Sequence, residues 1–231
     1  MSRRLEVIAH VKTDFPTKFG IPRQSGLVDT TAKIIFEPKY RDENSLKGLE
    51  EYSHLWLIWD FSEVKGEKWS PTVRPPRLGG NKRMGVFATR SPNRPNPLGL
   101  SSVKINKIFR DGENGTVIEI TGADLLDGTP IYDIKPYLSF TDSHPDAIGG
   151  FADGVFSDAL VVEIPPHIKS KIRPEDVSNL TKILQGDPRP HYHNDDRIYA
   201  FEYSKYHIEF KVVNGTLTVV SIADSKDEEN V

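Results

Sequence analysis

Residues 103–121, VKINKIFRDGENGTVIEIT, hold two short β-like runs, Val103 to Phe109 and Thr116 to Thr121, parted by Asp, Gly and Asn. Working outward, Leu5 to Val11, Thr31 to Phe36, His54 to Phe61 and Met84 to Thr89 read the same way, each bounded by turn-forming residues. Long helical periodicity is scarce in this part of the chain, so a mainly β fold is expected, a curled sheet or barrel. The one early helix expected is Glu43 to Tyr52, with Leu46 and Leu49 on one side.

The last third reads differently. After Pro145 the glycine-rich stretch DAIGGFADGVFSD suggests a loop or linker, followed by a strand from Ala159 to Ile164. Pro174 suits the first turn of a helix, Glu175 and Asp176 complement its dipole, and Gly186 can close it. Ile198 to Glu202, His207 to Val213 and Thr216 to Ile222 read as strands, the last two joined by Asn214-Gly215, a strong hairpin signal. The expected organisation is a barrel-forming domain over 1–145, a linker and connecting strand over 146–170, a small α+β domain over 171–223 and a charged tail over 224–231.

Composition narrows the chemistry. At 231 residues and 37% hydrophobic, the chain can bury one good core and a smaller second one. No apolar run approaches the roughly 20 residues that span a bilayer, and the first residues lack a secretory pattern, so a cytoplasmic location is expected. The absence of cysteine excludes disulfides, thiolate nucleophiles, thiolate zinc sites and iron–sulfur clusters. There is no G-x-G-x-x-G fingerprint, Walker loop, nucleophile elbow or zinc-binding helix.

Charge points to a partner. From Ser70 to Arg110 there is no Asp or Glu, yet Arg74, Arg77, Lys82, Arg83, Arg90, Arg94, Lys104, Lys107 and Arg110 fall there, in a chain of formal net charge -3. A local cationic field in a mildly acidic protein suits a polyanion. Proline and glycine around it favour a stiff surface over a floppy tail.

Four segments carry candidate chemistry. The turn Gly20 to Gln24 presents a guanidinium and an amide able to read a carboxylate or a base edge, or is a plain inter-strand turn. Phe87 to Ser101 holds two arginines in proline-rich backbone, suited to bidentate anion binding. In Asp124 to Tyr137 a turn leads into an extended run that sets Asp133, Lys135 and Tyr137 two apart on one face, a ligand-orienting group or a salt-bridge network. Asp187 to Arg197 has histidines and acids whose spacing matches no standard metal site, and its aromatic and basic residues suit stacking on RNA. No metal is expected. His54, among apolar residues, reads as a hydrogen-bonded core histidine.

Together GIPRQ (20–24), EYSHLWLIWDF (51–61), PTVRPPRLGGNKRMGVFATRSPNRPNPLGLS (71–101) and DGTPIYDIKPY (127–137), with the DPRPHYH loop (187–193), strongly resemble the TrmO (TsaA-like) family of S-adenosylmethionine-dependent tRNA methyltransferases. The resemblance implies a single-sheeted β-barrel and a homodimer that binds S-adenosylmethionine near its interface. It also implies methylation of N6 of threonylcarbamoyladenosine at position 37 of tRNA. Carried across by motif, cofactor contacts fall on Pro22, Arg23, Gln24, Arg90, Leu100, Leu126, Asp127, Gly128 and Thr129. By position they also fall on Ser62 and Glu63, where this chain departs from the family's His-Gln-like pair.

Sulfonium, carboxylate and adenine call respectively for an acceptor-lined turn, a basic anchor and an amide-bearing pocket. Turns at Pro22, Arg90 and Asp127 can supply them. Charge and face-sharing nominate Asp133 or Tyr137 to take or relay the N6 proton and Lys135 to hold a carboxylate or phosphate. The expected tRNA surface comprises Arg77, Lys82, Arg83, Arg94, Arg189 and Tyr192, with Arg94 on the threonyl carboxylate. Two other readings stand beside this one: a non-catalytic RNA-binding barrel that keeps the cofactor pocket, and a methyltransferase for another RNA or a small molecule.

Overall fold

The computed structural model describes residues 4–64, 69–75, 78, 82–153, 159–189 and 197–225. Among the described residues, eight strands fall in the first part: β1 (Ala9–Lys12), β2 (Thr31–Phe36), β3 (His54–Asp60), β4 (Thr72–Val73), β5 (Met84–Gly85), β6 (Leu98–Asp111), β7 (Gly115–Thr121) and β8 (Pro130–Pro136). Six of them pair antiparallel in the order β1-β2-β7-β6-β3-β8, and the sheet closes where Ala9 of β1 faces Ile131 of β8. Closure leaves no free edge.

Period-two alternation decides which side chains fill the barrel. In β3, Leu55, Leu57 and Trp59 point inward while His54, Trp56, Ile58 and Asp60 face out. With Val11, Ile34, Val103, Ile118, Ile120 and Ile131 they form a packed interior, as the small bore of such a barrel requires. Where β3 meets β8 the register shifts: Ile58 faces Asp133 but Trp59 faces Ile131, so Tyr132 is the extra residue of a bulge. That bulge turns the Tyr132 hydroxyl to Asp60, whose charge adds to burial in pushing the phenol pKa up.

The second part has its own core. A four-stranded sheet runs β10 (Tyr199–Tyr203), β11 (Tyr206–Val213), β12 (Thr216–Asp224), β9 (Val161–Glu163), with β9 parallel to β12. Helix α1 (Ser139–Asp142) follows the barrel, and α2 (Pro166–Lys169) and α3 (Pro174–Gln185) lead into this sheet, where Leu180, Ile183 and Leu184 of α3 pack on Phe210 and Leu217. Asn214 and Gly215 take φ 50 and 78, the left-handed pair that a two-residue hairpin between β11 and β12 needs. None of the described helices is long and apolar enough to cross a membrane.

The β1–β2 excursion stitches the two cores together. Phe15 and Val28 are buried in the second core, with Phe19 and Ile21 packed against it. Gly20, at φ 93, lets the chain pass the Phe201 ring so closely that a Cβ would lie 2.3 Å from it. The Gly20–Gln24 turn is therefore fixed by both units.

Several expectations change. The helix expected over Glu43 to Tyr52 is two 3-10 turns, Glu43–Leu46 and Leu49–Glu51, broken at Gly48. The strand expected from Met84 to Thr89 ends at Gly85, because Val86–Ala88 curls into a 3-10 turn that anchors the buried Val86. Helix α3 stops at Gly186 as expected, but the left-handed residue is Asp187, at φ 45. His54 is no core histidine: it lies half-exposed on the outer face of β3, its Nδ1 2.9 Å from the Ser53 hydroxyl.

Candidate functional site

A cleft of about 1990 Å³ opens at one end of the barrel. Separate segments converge on it, among them the 22–24 turn, residues 59–64 leaving β3, the loop from Arg90 into β6, and the turn ahead of β8, with residues from 70–75, 83–89 and 149–152 adding to the lining. Pro22, Arg23, Gln24, Ser62, Glu63, Arg90, Leu100, Leu126 and Thr129 all line it, although more than 100 residues of sequence separate the outermost.

Each turn is locked by its own hydrogen bonds. Asp127 does not line the cleft. Its carboxylate is engaged by Lys12 at 2.7 Å and by the Thr13 amide at 2.9 Å, while the Gly128 amide donates to the Val11 carbonyl at 2.9 Å. The Thr129 hydroxyl donates to the Leu126 carbonyl at 2.7 Å, so Asp127 and Gly128 shape the turn while Leu126 and Thr129 face inward. On the opposite wall Arg90 donates to the Gln24 side-chain carbonyl, and the Gln24 amide donates to the Arg23 carbonyl. Glu63 pairs with Lys18 at 3.6 Å.

Arg23 points across the junction. Its guanidinium donates to the main-chain carbonyls of Asp187 at 2.8 Å and Arg189 at 3.2 Å. Arg189 itself is 9% exposed, forks onto the Asp187 carboxylate through two 2.9 Å hydrogen bonds, and lies over the Tyr199 ring. This corrects the expectation that Arg189 contacts tRNA. A buried guanidinium committed to a carboxylate and an aromatic face holds a loop instead.

The floor of the cleft carries a residue that the sequence reading quoted but did not select. Asp124 accepts a 2.6 Å hydrogen bond from the Ser101 hydroxyl, which in turn accepts one of 3.0 Å from the Trp59 indole. Burial pushes the Asp124 carboxyl above its usual range, against the hydrogen bonds from Ser101 and the Ser25 amide and the nearby Arg90 charge. Asp60, hydrogen-bonded to Tyr132, is a second carboxylate on the wall. An acid placed directly before the buried Leu125 was the available signal. Among the described residues no cluster of three or more His, Asp or Glu side chains suits a metal ion.

Asp133, Lys135 and Tyr137 lie elsewhere. Asp133 and Lys135 form a 2.9 Å ion pair on the outer face of β8, and Tyr137 packs on Trp56 with ring centroids 5.6 Å apart. Lys135 borders a shallower hollow of about 330 Å³ with Trp56, Ile58, Leu100, Thr141, Asp142 and His144. Trp56 and Leu100 border both cavities, so this outer face continues from the cleft. Of the residues nominated for tRNA, Arg83 and Arg94 line the cleft and Lys82 is exposed, whereas Arg77 and Tyr192 fall outside the described residues.

The chain matches the family model of the tRNA-methyltransferase O N-terminal domain over residues 10–143 and that of the TrmO C-terminal domain over 158–225. The chain belongs to the TrmO family. It is 34% identical to the tRNA (adenine(37)-N6)-methyltransferase of Escherichia coli K12, covering 96% of this chain and 98% of that protein. It is 43% identical to the enzyme of the same name from Eikenella corrodens over 74% of this chain and 97% of that one. A crystal structure of TrmO from Pseudomonas aeruginosa superposes with a TM-score of 0.79 at 27% identity, covering 97% of this chain and 98% of that one. The 22–24, 59–64, 90–100 and 126–129 segments lie within the N-terminal TrmO match, whereas the Arg189–Asp187 pair that receives Arg23 lies within the C-terminal one.

Proposed function

We propose that this TrmO-family chain is an S-adenosylmethionine-dependent tRNA methyltransferase acting on N6 of threonylcarbamoyladenosine at position 37, and that the cleft holds the methyl donor. The single observation that carries this reading is the convergence of the 22–24, 90–100 and 126–129 turns on one cavity floored by Asp124. The donor set fits: Asp124 and Asp60 suit the cationic groups, Arg90 suits the carboxylate, and Gln24, Leu100 and Leu126 suit an adenine ring. When bound, S-adenosylmethionine supplies an electrophilic methyl group on a sulfonium.

The chain's own work is alignment and exclusion of water. Trp59 and Ser101 hold Asp124 in one orientation, and Arg90 is held against Gln24. Such positioning contributes up to roughly 7–11 kcal/mol in favourable systems, so no strong base is required. On the substrate side, Asp133 or Tyr137 takes or relays the N6 proton, with Lys135 neutralising a nearby carboxylate or phosphate. The continuity of their face with the cleft through Trp56 and Leu100 supports these roles. Arg94 holds the threonyl carboxylate, and the rim cations Lys82 and Arg83 bind RNA phosphates.

The working form is a homodimer. Leu100, 58% exposed at the cleft, and Phe140, 86% exposed in α1, are apolar surface that a second copy would cover. Purified protein is incubated with methyl-labelled S-adenosylmethionine and tRNA, with and without the threonylcarbamoyl group. Transfer to modified tRNA alone is expected. Label on unmodified tRNA, or none on either, would overturn the assignment.

A further inference from the structure

One aromatic pair, Trp69 and Phe87, stands at the cleft rim. Trp69, 49% exposed, and Phe87, 73% exposed, bring their ring centroids to 6.4 Å with planes 33° apart. The Arg94 guanidinium lies 6.0 Å from the centre of the Phe87 ring and donates to the Thr89 carbonyl at 3.3 Å.

Phe87 is held out, not left out. Its neighbour Val86 is 1% exposed and its amide donates to the Pro71 carbonyl at 3.0 Å. The Thr89 amide and hydroxyl both return to the Val86 carbonyl, at 3.1 and 2.8 Å. A short, closed turn thus fixes the ring in solvent between β5 and the Arg90 loop.

The charges around it select the partner. Arg74, Arg83, Arg90 and Arg94 share the cleft rim with Phe87, Arg83 being tethered to the Thr72 hydroxyl at 2.9 Å, and no acid falls between Ser70 and Arg110. Flat aromatic faces ringed by guanidiniums fit an unpaired nucleobase with its flanking phosphates.

We propose that Trp69 and Phe87 form a stacking platform for an unstacked base of the RNA loop, adjacent to the nucleotide being modified, with Arg74 and Arg83 on the neighbouring phosphates and Arg94, beside the Phe87 ring, left to the carboxylate of the modified nucleotide. This deepens the tRNA reading above and rests on it. The platform supplies affinity that does not depend on base identity, because every base has a π face.

The test uses the full chain and an anticodon stem-loop RNA. W69A and F87A should each weaken RNA binding by about 30-fold, the middle of the range for loss of one stacked base. F87W should bind like the wild type and F87L should bind poorly, because bulk without a π face does not stack. RNA should quench Trp69 fluorescence in the wild type, and W69A should still take up S-adenosylmethionine normally. RNA affinity within about twofold of wild type in W69A and F87A would overturn the platform. So would a change of oligomeric state in sedimentation that alone accounts for the loss, since a second copy of the chain would then be what covers the rings. If instead the wild type binds no RNA and transfers no methyl, the functional reading itself fails, a result distinct from an intact enzyme indifferent to these substitutions.

Discussion

Replacing Gly99 by alanine puts a methyl group where Trp59 already is. A Cβ on Gly99 would sit 2.1 Å from Cε2 of the Trp59 indole and 2.3 Å from Cζ2, on a strand directly paired with β3. Ordinary carbon contacts are about 3.5–4.0 Å, so the ring must move by well over an ångström. Overpacking of this kind costs about 1–3 kcal/mol. The displaced indole also gives up its hydrogen bond to Ser101, worth about 0.5–1.5 kcal/mol. G99A should therefore lose roughly 2–4 kcal/mol of stability, lowering Tm by about 4–16 °C for a chain of this size. Because Ser101 in turn holds Asp124, uptake of the methyl donor should weaken with it. Urea and thermal melts followed by tryptophan fluorescence measure the first effect, and calorimetric titration the second. A variant that melts within about 1 °C of wild type with an unchanged emission maximum would refute the packing argument.

Three further outcomes are expected. D124N should bind S-adenosylmethionine about 10- to 100-fold more weakly, as loss of a charge-assisted contact implies, while its Tm at neutral pH stays the same or rises; wild-type affinity by calorimetry would remove Asp124 from the site. D133N should keep donor affinity and lose turnover by about 10²-fold or more, as loss of a proton acceptor implies; undiminished turnover in single-turnover assays would take Asp133 out of the proton path. Asp14, between the two cores, has its pKa raised first by burial and then by the Asp176 charge. A raised carboxyl binds its proton more tightly folded than unfolded, so its ionisation lowers stability as pH climbs from about 3.9 through the folded value. D14N lacks that decline. The Tm difference between D14N and wild type should widen in favour of D14N with rising pH and then level off, and a difference independent of pH would contradict this.

Local rules carried the strands well and the site poorly. Thr31–Phe36 alternates, as does Ile118 to Thr121, because one side of each faces the barrel interior, and that period is visible without partners. Asn214-Gly215 announced its hairpin because both residues tolerate positive φ. The start of β6 was hidden: the expected strand begins at Val103 but the observed one at Leu98, and the indole arriving from β3 explains a glycine inside it. Gln24, Arg90 and Thr129 were nominated by motif likeness, but their meeting in one cavity depends on barrel closure. Asp124, Ser101 and Trp59 come from three segments, so their hydrogen-bonded chain left no sequence period to read. Arg189 misled for a related reason. Its charge is written in the sequence, but its burial against Asp187 and Tyr199 is a property of the packed second core.

The most direct test of the account is equilibrium titration of the full chain with S-adenosylmethionine, by calorimetry, alongside circular dichroism to establish that the protein is folded. Saturable uptake at one cleft per chain, weakened by R90A and by D124N, is the predicted result. Folded protein that takes up no S-adenosylmethionine, or that binds it equally well in both variants, would contradict the claim that these turns build its site.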